Sequence, residues 1–322
     1  MSFADLQNPI FTDENAAREA LEAARWPNGP YCPHCGATDR LAKVQGTKKS
    51  HRPGLWYCNH CKGQFTATVG TVFERSKVPL TKWWLASHLL GSSKKGMSAH
   101  QLHRMLGVTY KTAWFMAHRI REAMVEADPP PLGGKDKVVE ADETFIGPAQ
   151  DVFVNDRGWV KQRGFTTKRK VIALVERGGR ARSFKVDDLD AKTIRKTLFE
   201  NVVLDSTLHT DQAGHYKHPG REFAKHESVN HSEREYARGD VTTNTVEGFF
   251  SIFKRGMTGI YQHCGEQHLQ RYLAEFDFRY SNRSALGVED AERVRRIMKG
   301  ISGKRLTYRR TGGPNLAQAL KA

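Results

Sequence analysis

The chain has 322 residues, 39% hydrophobic and 27% charged, which allows two or three folded domains and excludes a disordered chain. Fifty-one Lys and Arg against 35 Asp and Glu leave a net charge of +16, a balance that favours a polyanionic partner such as nucleic acid. No apolar run approaches the roughly 20 residues that span a bilayer, and Met1 to Ala16 carries Asp5, Asp13 and Glu14, so neither a membrane partner nor a signal peptide is expected.

Residues 13–25 predict a short amphipathic helix capped by Thr12 or Asp13. It is stopped by Trp26-Pro27-Asn28-Gly29-Pro30 and belongs to an N-terminal segment, 1–28. A region at 29–75 then carries Cys32-Pro33-His34-Cys35, a 22-residue spacer, and Cys58-Asn59-His60-Cys61. Each C-x-x-C points two thiolates at one ion, with Gly36 and Gly63 expected to supply the unusual backbone angles. Two such turns joined by a hairpin complete a tetrahedral four-sulfur Zn²⁺ site of structural type. His34 and His60 stand inside the turns as alternative ligands. Paired cysteines without a secretory signal suit a reducing cytoplasm. The fifth, Cys264, reads as an ordinary thiol.

Residues 76–127 read as helical. Trp83, Trp84, Leu85, Leu89 and Leu90 form one apolar stretch, and Gly96-Met97-Ser98 resets the chain. Leu102 and Leu106, a Gly107-Val108-Thr109 turn, and then Ala113, Phe115 or Met116, and Ile120 give the pattern of a helix-turn-helix. Tyr110, Lys111, Thr112, His118 and Arg119 are its candidate DNA contacts. Asp128-Pro-Pro-Pro-Leu-Gly-Gly-Lys135 reads as a linker, 128–135, and as the main domain boundary.

Beyond it, over 136–290, the period changes to two. Residues 137–146 predict a strand containing Asp142, an acid that is costly to bury unless it meets a cation. Residues 170–175 and 182–186 predict the next two strands, 190–200 a helix, and 207–210 a fourth strand ending in Asp211. That order is the one expected of an RNase H-like α/β domain, a mixed sheet flanked by helices. Thr243 or Asn244 can cap a helix whose first turn carries Glu247, with Lys254 two turns on along the same side. Asp142, Asp211 and Glu247 could together hold two Mg²⁺ or Mn²⁺ ions about 3.5–4 Å apart for phosphoryl transfer, with Lys254 placed against a phosphate. Asn244 is the alternative third ligand. Glu140, Glu143 and Asp240 are set aside, and His209 and His215 read as polar supports of Asp211.

These residues carry a resemblance. The stretches RWPNGPYCPHCG, YCNHCKGQFTATVGTVFERSKVPLTKWW, KKGMSAHQLHRMLGVTYKTAWFMAHRIREAM, VEADETFIG, LHTDQAGHY, TTNTVEGFFSIFKRGMTGIYQHC and HLQRYLAEFDFRYSNR resemble the bacterial insertion-sequence DDE transposases. Members of that family join an N-terminal zinc ribbon to a catalytic domain and are related to the eukaryotic Merlin elements. The resemblance implies Asp142, Asp211 and Glu247 as the catalytic triad with Lys254 as its lysine. It further implies recognition of terminal inverted repeats and target DNA, a homo-oligomer on DNA, and a cytoplasmic, nucleoid-associated protein. Two basic stretches fit phosphate tracking. One runs from Arg157 to Lys170 and includes Lys161, Arg163, Lys168 and Arg169 in a segment that reads as a hairpin. The other is the basic tail, 291–322, with eight Lys or Arg from Arg293 to Arg310; Arg255 adds a further basic candidate. The rival readings are an RNase H-like nuclease or resolvase that cuts without joining, and a zinc-ribbon transcription regulator with a non-catalytic second half.

Overall fold

The computed structural model describes residues 7–44, 51–147, 151–156, 158–161, 168–230, 233, 235 and 237–307, without the side chains of 151–154 and 159–161. The chain divides into two compact units: Asp5–Ser87 with Ala99–Ala123 and Ile297–Ala322, and His88–Ser98 with Met124–Arg296.

The first unit opens with helix α1 (Glu14–Arg25), capped by the Asp13 carboxylate, which accepts from Asn15 N at 2.8 Å. Ala17 and Leu21 are fully buried on its inner face. Strands β1 (Leu41–Lys43), β2 (Trp56–Cys58) and β3 (Gln64–Phe65) form a small antiparallel sheet. Trp26, just after α1, packs edge-on against Tyr31, Trp56 and Phe65, so the N-terminal helix and the ribbon share one core.

Helix α2 (Leu80–Ser92) starts where Glu14 accepts from Leu80 N and Thr81 N at 2.8 and 3.2 Å, satisfying first-turn amides that have no partner within the helix. Helices α3 (Ala99–Leu106) and α4 (Tyr110–Met124) flank the short turn expected from Gly107. Leu102, Leu106, Ala113, Met116 and Ile120 are buried, and Thr109 accepts from Thr112 N to cap α4.

The second unit is built on a five-stranded mixed sheet. Its strands are β4 (Val138–Ile146), β7 (Arg169–Glu176), β8 (Ala181–Val186), β9 (Thr207–Asp211) and β10 (Lys225–Val229). The order is β10-β9-β4-β7-β8, with β4, β9 and β10 parallel and β7 antiparallel to both neighbours. A separate hairpin joins β5 (Asp151–Val154) to β6 (Gly158–Lys161). Helix α5 (Ala191–Asn201) is capped by Asp190. With Ile194 and Leu198 it covers the sheet face that carries Val139, Ala141, Ile172 and Leu174.

After a short α6 (Lys217–Gly220) and a small pair of strands, β11 (Ala237–Arg238) and β12 (Val241–Thr242), come α7 (Asn244–Gly256) and α8 (Leu269–Ser281). They bury Val246, Phe249, Phe253, Leu273 and Phe276 against Val171, Ala173 and Val175 on the other face. Each such large side chain contributes about 1.5–3 kcal/mol by leaving water. Because side chains alternate along a strand, Val139 and Ala141 on the α5 side leave Glu140, Asp142 and Thr144 facing α7.

Two expected boundaries look different in the fold. Residues 128–135 do not form a free linker. Leu132 is buried, bridges to Val202 through Leu132 N to Asn201 O at 2.8 Å and Val203 N to Leu132 O at 2.9 Å, and thereby joins the sheet unit. An apolar anchor between the prolines and glycines outweighs their turn chemistry. Nor is 291–322 a plain tail. Helix α9 (Asp290–Lys299) buries Val294, Ile297 and Met298. Residues 301–303 are then pinned by Val72 N to Ile301 O at 3.0 Å and Gly303 N to Gly70 O at 2.9 Å. Residues 308–322 lie outside the described residues.

Candidate active site and zinc centre

Two tight turns bring Cys32, Cys35, Cys58 and Cys61 together, with all four sulfurs within 4.8 Å of one another. Cys32 Sγ stands 3.6 Å from Cys61 Sγ, and Cys35 Sγ 3.7 Å from Cys58 Sγ. This is the donor set and spacing of a closed, structural zinc site. The backbone N–H of Cys61, then that of His60, draw the Cys58 thiol down to about 6 against the opposing effect of burial, while burial and then the neighbouring sulfurs push the Cys35 and Cys61 thiols up; one thiolate is favoured without a cation, and Zn²⁺ would supply the charge that lets all four coexist. His34 and His60 turn away to Gln64 O at 3.4 Å and Asp39 at 2.9 Å. Gly36 takes the expected left-handed angle, φ 79°, but at the second turn Lys62 takes it, φ 58°, not Gly63. Gly63 is needed for space instead: a Cβ there would stand 3.2 Å from Cys61 Sγ.

In the sheet unit β4 and β9 run parallel with Val138 opposite Thr207 and Glu140 opposite His209. Asp142 and Asp211 lie two residues further along these neighbouring strands. Glu247 lies in the first turn of α7. Asp142 is half-buried, and its carboxyl is pushed up to about 7. Burial is the main cause, followed by the charges of Glu143, Asp211 and Glu247, against one stabilising backbone N–H. Asp211 and Glu247 therefore both lie within electrostatic reach of the Asp142 carboxyl.

Their oxygens do not converge as the sulfurs do; among the described residues only the four cysteines form a set that tight. Each acid is turned onto a local donor. Asp142 accepts from Glu143 N at 2.8 Å, Asp211 from Ala213 N at 3.0 Å, and Glu247 from the Thr243 hydroxyl at 2.9 Å. Asn244 and Lys254 are exposed on α7, and Lys254 Nζ lies 6.0 Å from the Phe250 ring centre. Glu143 points to the opposite face, where it accepts from the Tyr216 hydroxyl at 2.8 Å and raises the pKa of His215.

Sequence reasoning passed over Glu140 and never reached Arg177. Glu140 has no solvent exposure. Its Oε1 accepts from Arg177 Nε at 3.0 Å, Arg177 Nη2 at 2.8 Å and the Thr245 hydroxyl at 2.8 Å. Its Oε2 accepts from Thr245 N at 2.7 Å and Val246 N at 3.0 Å. Glu140 thus caps α7, where Thr243 or Asn244 was expected to; Thr243 makes no side-chain cap bond. The available signal was an acid on the Asp142 face of an apolar strand, which demands a buried partner. Burial, and then the nearby Arg177 charge, lower the pKa of His209.

The expected DNA contacts separate into two groups. Tyr110 and Lys111 are exposed. Thr112 belongs to the α4 cap. His118 is buried with its ring 4.2 Å from that of Trp114. Arg119 holds Glu74 O and Leu306 O at 3.2 and 3.3 Å. His118 lies on the Trp114 side of α4, well round the helix from the Ala113, Met116 and Ile120 stripe, so this helix is buried on more than one side, and Arg119 is partly buried. Among the basic stretches, Arg169 binds Cys264 O, and Arg255 folds back on Ser251 of its own helix at 2.6 Å. Arg293 is buried on Asn282 O and Val288 O, and Arg295 and Arg296 pair with Glu292. Lys168 is partly buried. Lys161 ends β6, with no side chain described, and Arg163 lies outside the described residues. No helix among the described residues is long and apolar enough to cross a membrane.

A four-cysteine ribbon joined to a mixed sheet that carries acids on neighbouring parallel strands defines the class, a DDE-type transposase with a zinc ribbon. The ISXO2-like transposase domain model matches residues 131–281 and the transposase zinc-ribbon model residues 12–64. An uncharacterized protein in transposable element ISH50 of Halobacterium salinarum is 30% identical over 280 residues, 84% of this chain and 91% of that protein. The crystal structure of the Mos1 strand transfer complex is similar at 12% identity over 67% of this chain and 74% of that one, with a TM-score of 0.26. The mariner Mos1 paired end complex with Mg gives 12%, 66%, 76% and 0.26. The chain belongs to the ISXO2-like transposases of insertion sequences, and it is a DNA transposase.

Proposed function

We propose that this transposase binds the terminal inverted repeats of its element and cuts and joins DNA strands at Asp142, Asp211 and Glu247 of an RNase H-like domain. The observation that carries the reading is the placement of Asp142 in the middle of β4, Asp211 at the end of the adjacent parallel β9, and Glu247 in the first turn of the helix packed on that face. A carboxyl whose pKa is raised by burial and by two nearby carboxylates marks a donor set for hard divalent cations. Two such ions, when bound, supply Lewis-acid activation of the attacking and leaving oxygens in phosphoryl transfer. The chain's own part is to hold the acids on rigid elements and to offer Lys254 to a nearby phosphate. The protein acts as a homo-oligomer in the cytoplasm, on the nucleoid.

Strand transfer with labelled ends of the parent element tests this. Joined product in Mg²⁺ supports the transposase reaction; cut but unjoined DNA would favour the nuclease, and binding without chemistry the regulator.

The acid cluster predicts a pH signature. The Asp142 carboxyl rises on folding from 3.8 to about 7. In the metal-free protein its contribution to stability is therefore complete below about pH 4 and lost as pH rises through 7. Bound Mg²⁺ or Mn²⁺ opposes that loss, so the cation-induced rise in melting temperature should grow from pH 5.5 to pH 8. Asp142→Asn should flatten it; a rise independent of pH would remove Asp142 from the site.

On α3 and α4 the outward-facing candidates are Tyr110 and Lys111. Lys111→Ala should weaken repeat binding and lower the slope of log K against log salt by about 1. An unchanged slope would place the phosphate contacts elsewhere. His118→Ala should lower the melting temperature instead, because it empties a buried position.

A further inference from the structure

The triad leaves unexplained why a carboxylate with no solvent exposure stands two residues before Asp142. Glu140 satisfies the first turn of α7 by accepting from Thr245 N and Val246 N, two residues and one residue before Glu247. Its partner Arg177 is shared. Arg177 Nη2 also lies 3.3 Å from His209 Nδ1, two residues before Asp211. Arg177 Nη1 and Nη2 further donate to Asp240 O at 2.9 Å and Thr242 O at 3.3 Å, in the strand pair that leads into α7. One carboxylate–guanidinium pair therefore touches all three acid-bearing elements, each within two residues of its acid. An arginine only donates, so His209 Nδ1 accepts and its ring orientation is fixed as well.

We propose that Glu140 and Arg177 are positioning residues that set the spacing of Asp142, Asp211 and Glu247, and so the affinity of the carboxylates for divalent cation. The inference rests on the carboxylate reading above. Stability alone does not require this arrangement, since an apolar pair of similar volume often serves a buried site as well. A planar guanidinium that forks between Glu140 and His209 does require arginine. Cation sites tolerate about 0.5 Å of misplacement, and losing groups that orient ligands typically weakens metal binding about 10–100-fold.

The test uses the full, zinc-loaded chain and Mn²⁺ as probe, with free Mn²⁺ measured by electron paramagnetic resonance and stability by thermal melting. Arg177→Met alone strands the buried Glu140 charge and lowers the melting temperature. The double variant Glu140→Gln with Arg177→Met leaves no lone charge and should melt nearer wild type, yet bind Mn²⁺ about 10–100-fold more weakly. Arg177→Lys keeps the charge without the fork and should also weaken Mn²⁺ binding. The proposal is overturned if either of these variants binds Mn²⁺ as wild type does, or if Mn²⁺ affinity recovers in step with the melting temperature. Asp142→Asn and Asp211→Asn separate the two levels. If they leave Mn²⁺ binding intact, the carboxylate reading itself fails. If they abolish it while the Glu140 and Arg177 variants bind normally, only the positioning role fails.

Discussion

Asp211→Asn should reduce strand cleavage and joining by about 10³-fold or more while leaving binding of the element's ends near wild type. Asparagine is isosteric and keeps an oxygen to accept from Ala213 N, the bond that Asp211 makes at 3.0 Å, so the end of β9 holds its shape. What is lost is the negative charge that a divalent cation would neutralise. Labelled ends followed by gel electrophoresis read the chemistry, and a mobility shift reads the binding. A variant that still joins strands would remove Asp211 from the triad. The same assay assigns the third position on α7. Glu247→Gln should match Asp211→Asn, whereas Asn244→Ala should stay within a few-fold of wild type; the reverse pattern would move the third ligand to Asn244.

Cys58→Ser should abolish stoichiometric zinc and unfold the ribbon, with a separate melting transition retained for the sheet unit. Structural zinc contributes about 10–16 kcal/mol of apparent binding free energy in small ribbon-like peptides at neutral pH. Strands of three, three and two residues cannot replace that with apolar burial. Cys58 is fully buried, so a hydroxyl there also meets a site shaped for sulfur. Zinc analysis and tryptophan fluorescence, reporting Trp26 and Trp56, measure the loss. Because binding requires thiolates, chelator should strip the wild type faster as pH falls. A Cys58→Ser protein that keeps its zinc would reassign the ligand to His34 or His60.

Both expectations concern residues that the sequence displays openly. The C-x-x-C pairs are legible because a tight turn presents both thiolates by local geometry. The strand order from β4 to β9 is legible because alternation changes the hydrophobic period from 3.6 to two. The α3–α4 apolar stripe is legible for the same reason, but the burial of α4 beyond that stripe is not. A period indicates one buried face, while His118 and Arg119, on other sides of the helix, read in sequence as surface groups.

What stayed hidden depends on distance along the chain. Glu140 shares the Asp142 face and is set aside in sequence, without a role until Arg177, 37 residues on, and Thr245, 105 residues on, are brought against it. Leu132 looks like part of a spacer until Val202 pairs with it, and Arg293 like a phosphate contact until Asn282 and Val288 take its donors. The sequence by itself determined the ligand types, the strand and helix order and the acids available for chemistry, because those follow from local turns, periodicity and side-chain chemistry. Only the tertiary structure decided which charges are internal supports and which are left exposed, because a buried charge is tolerated only where distant segments bring it a partner.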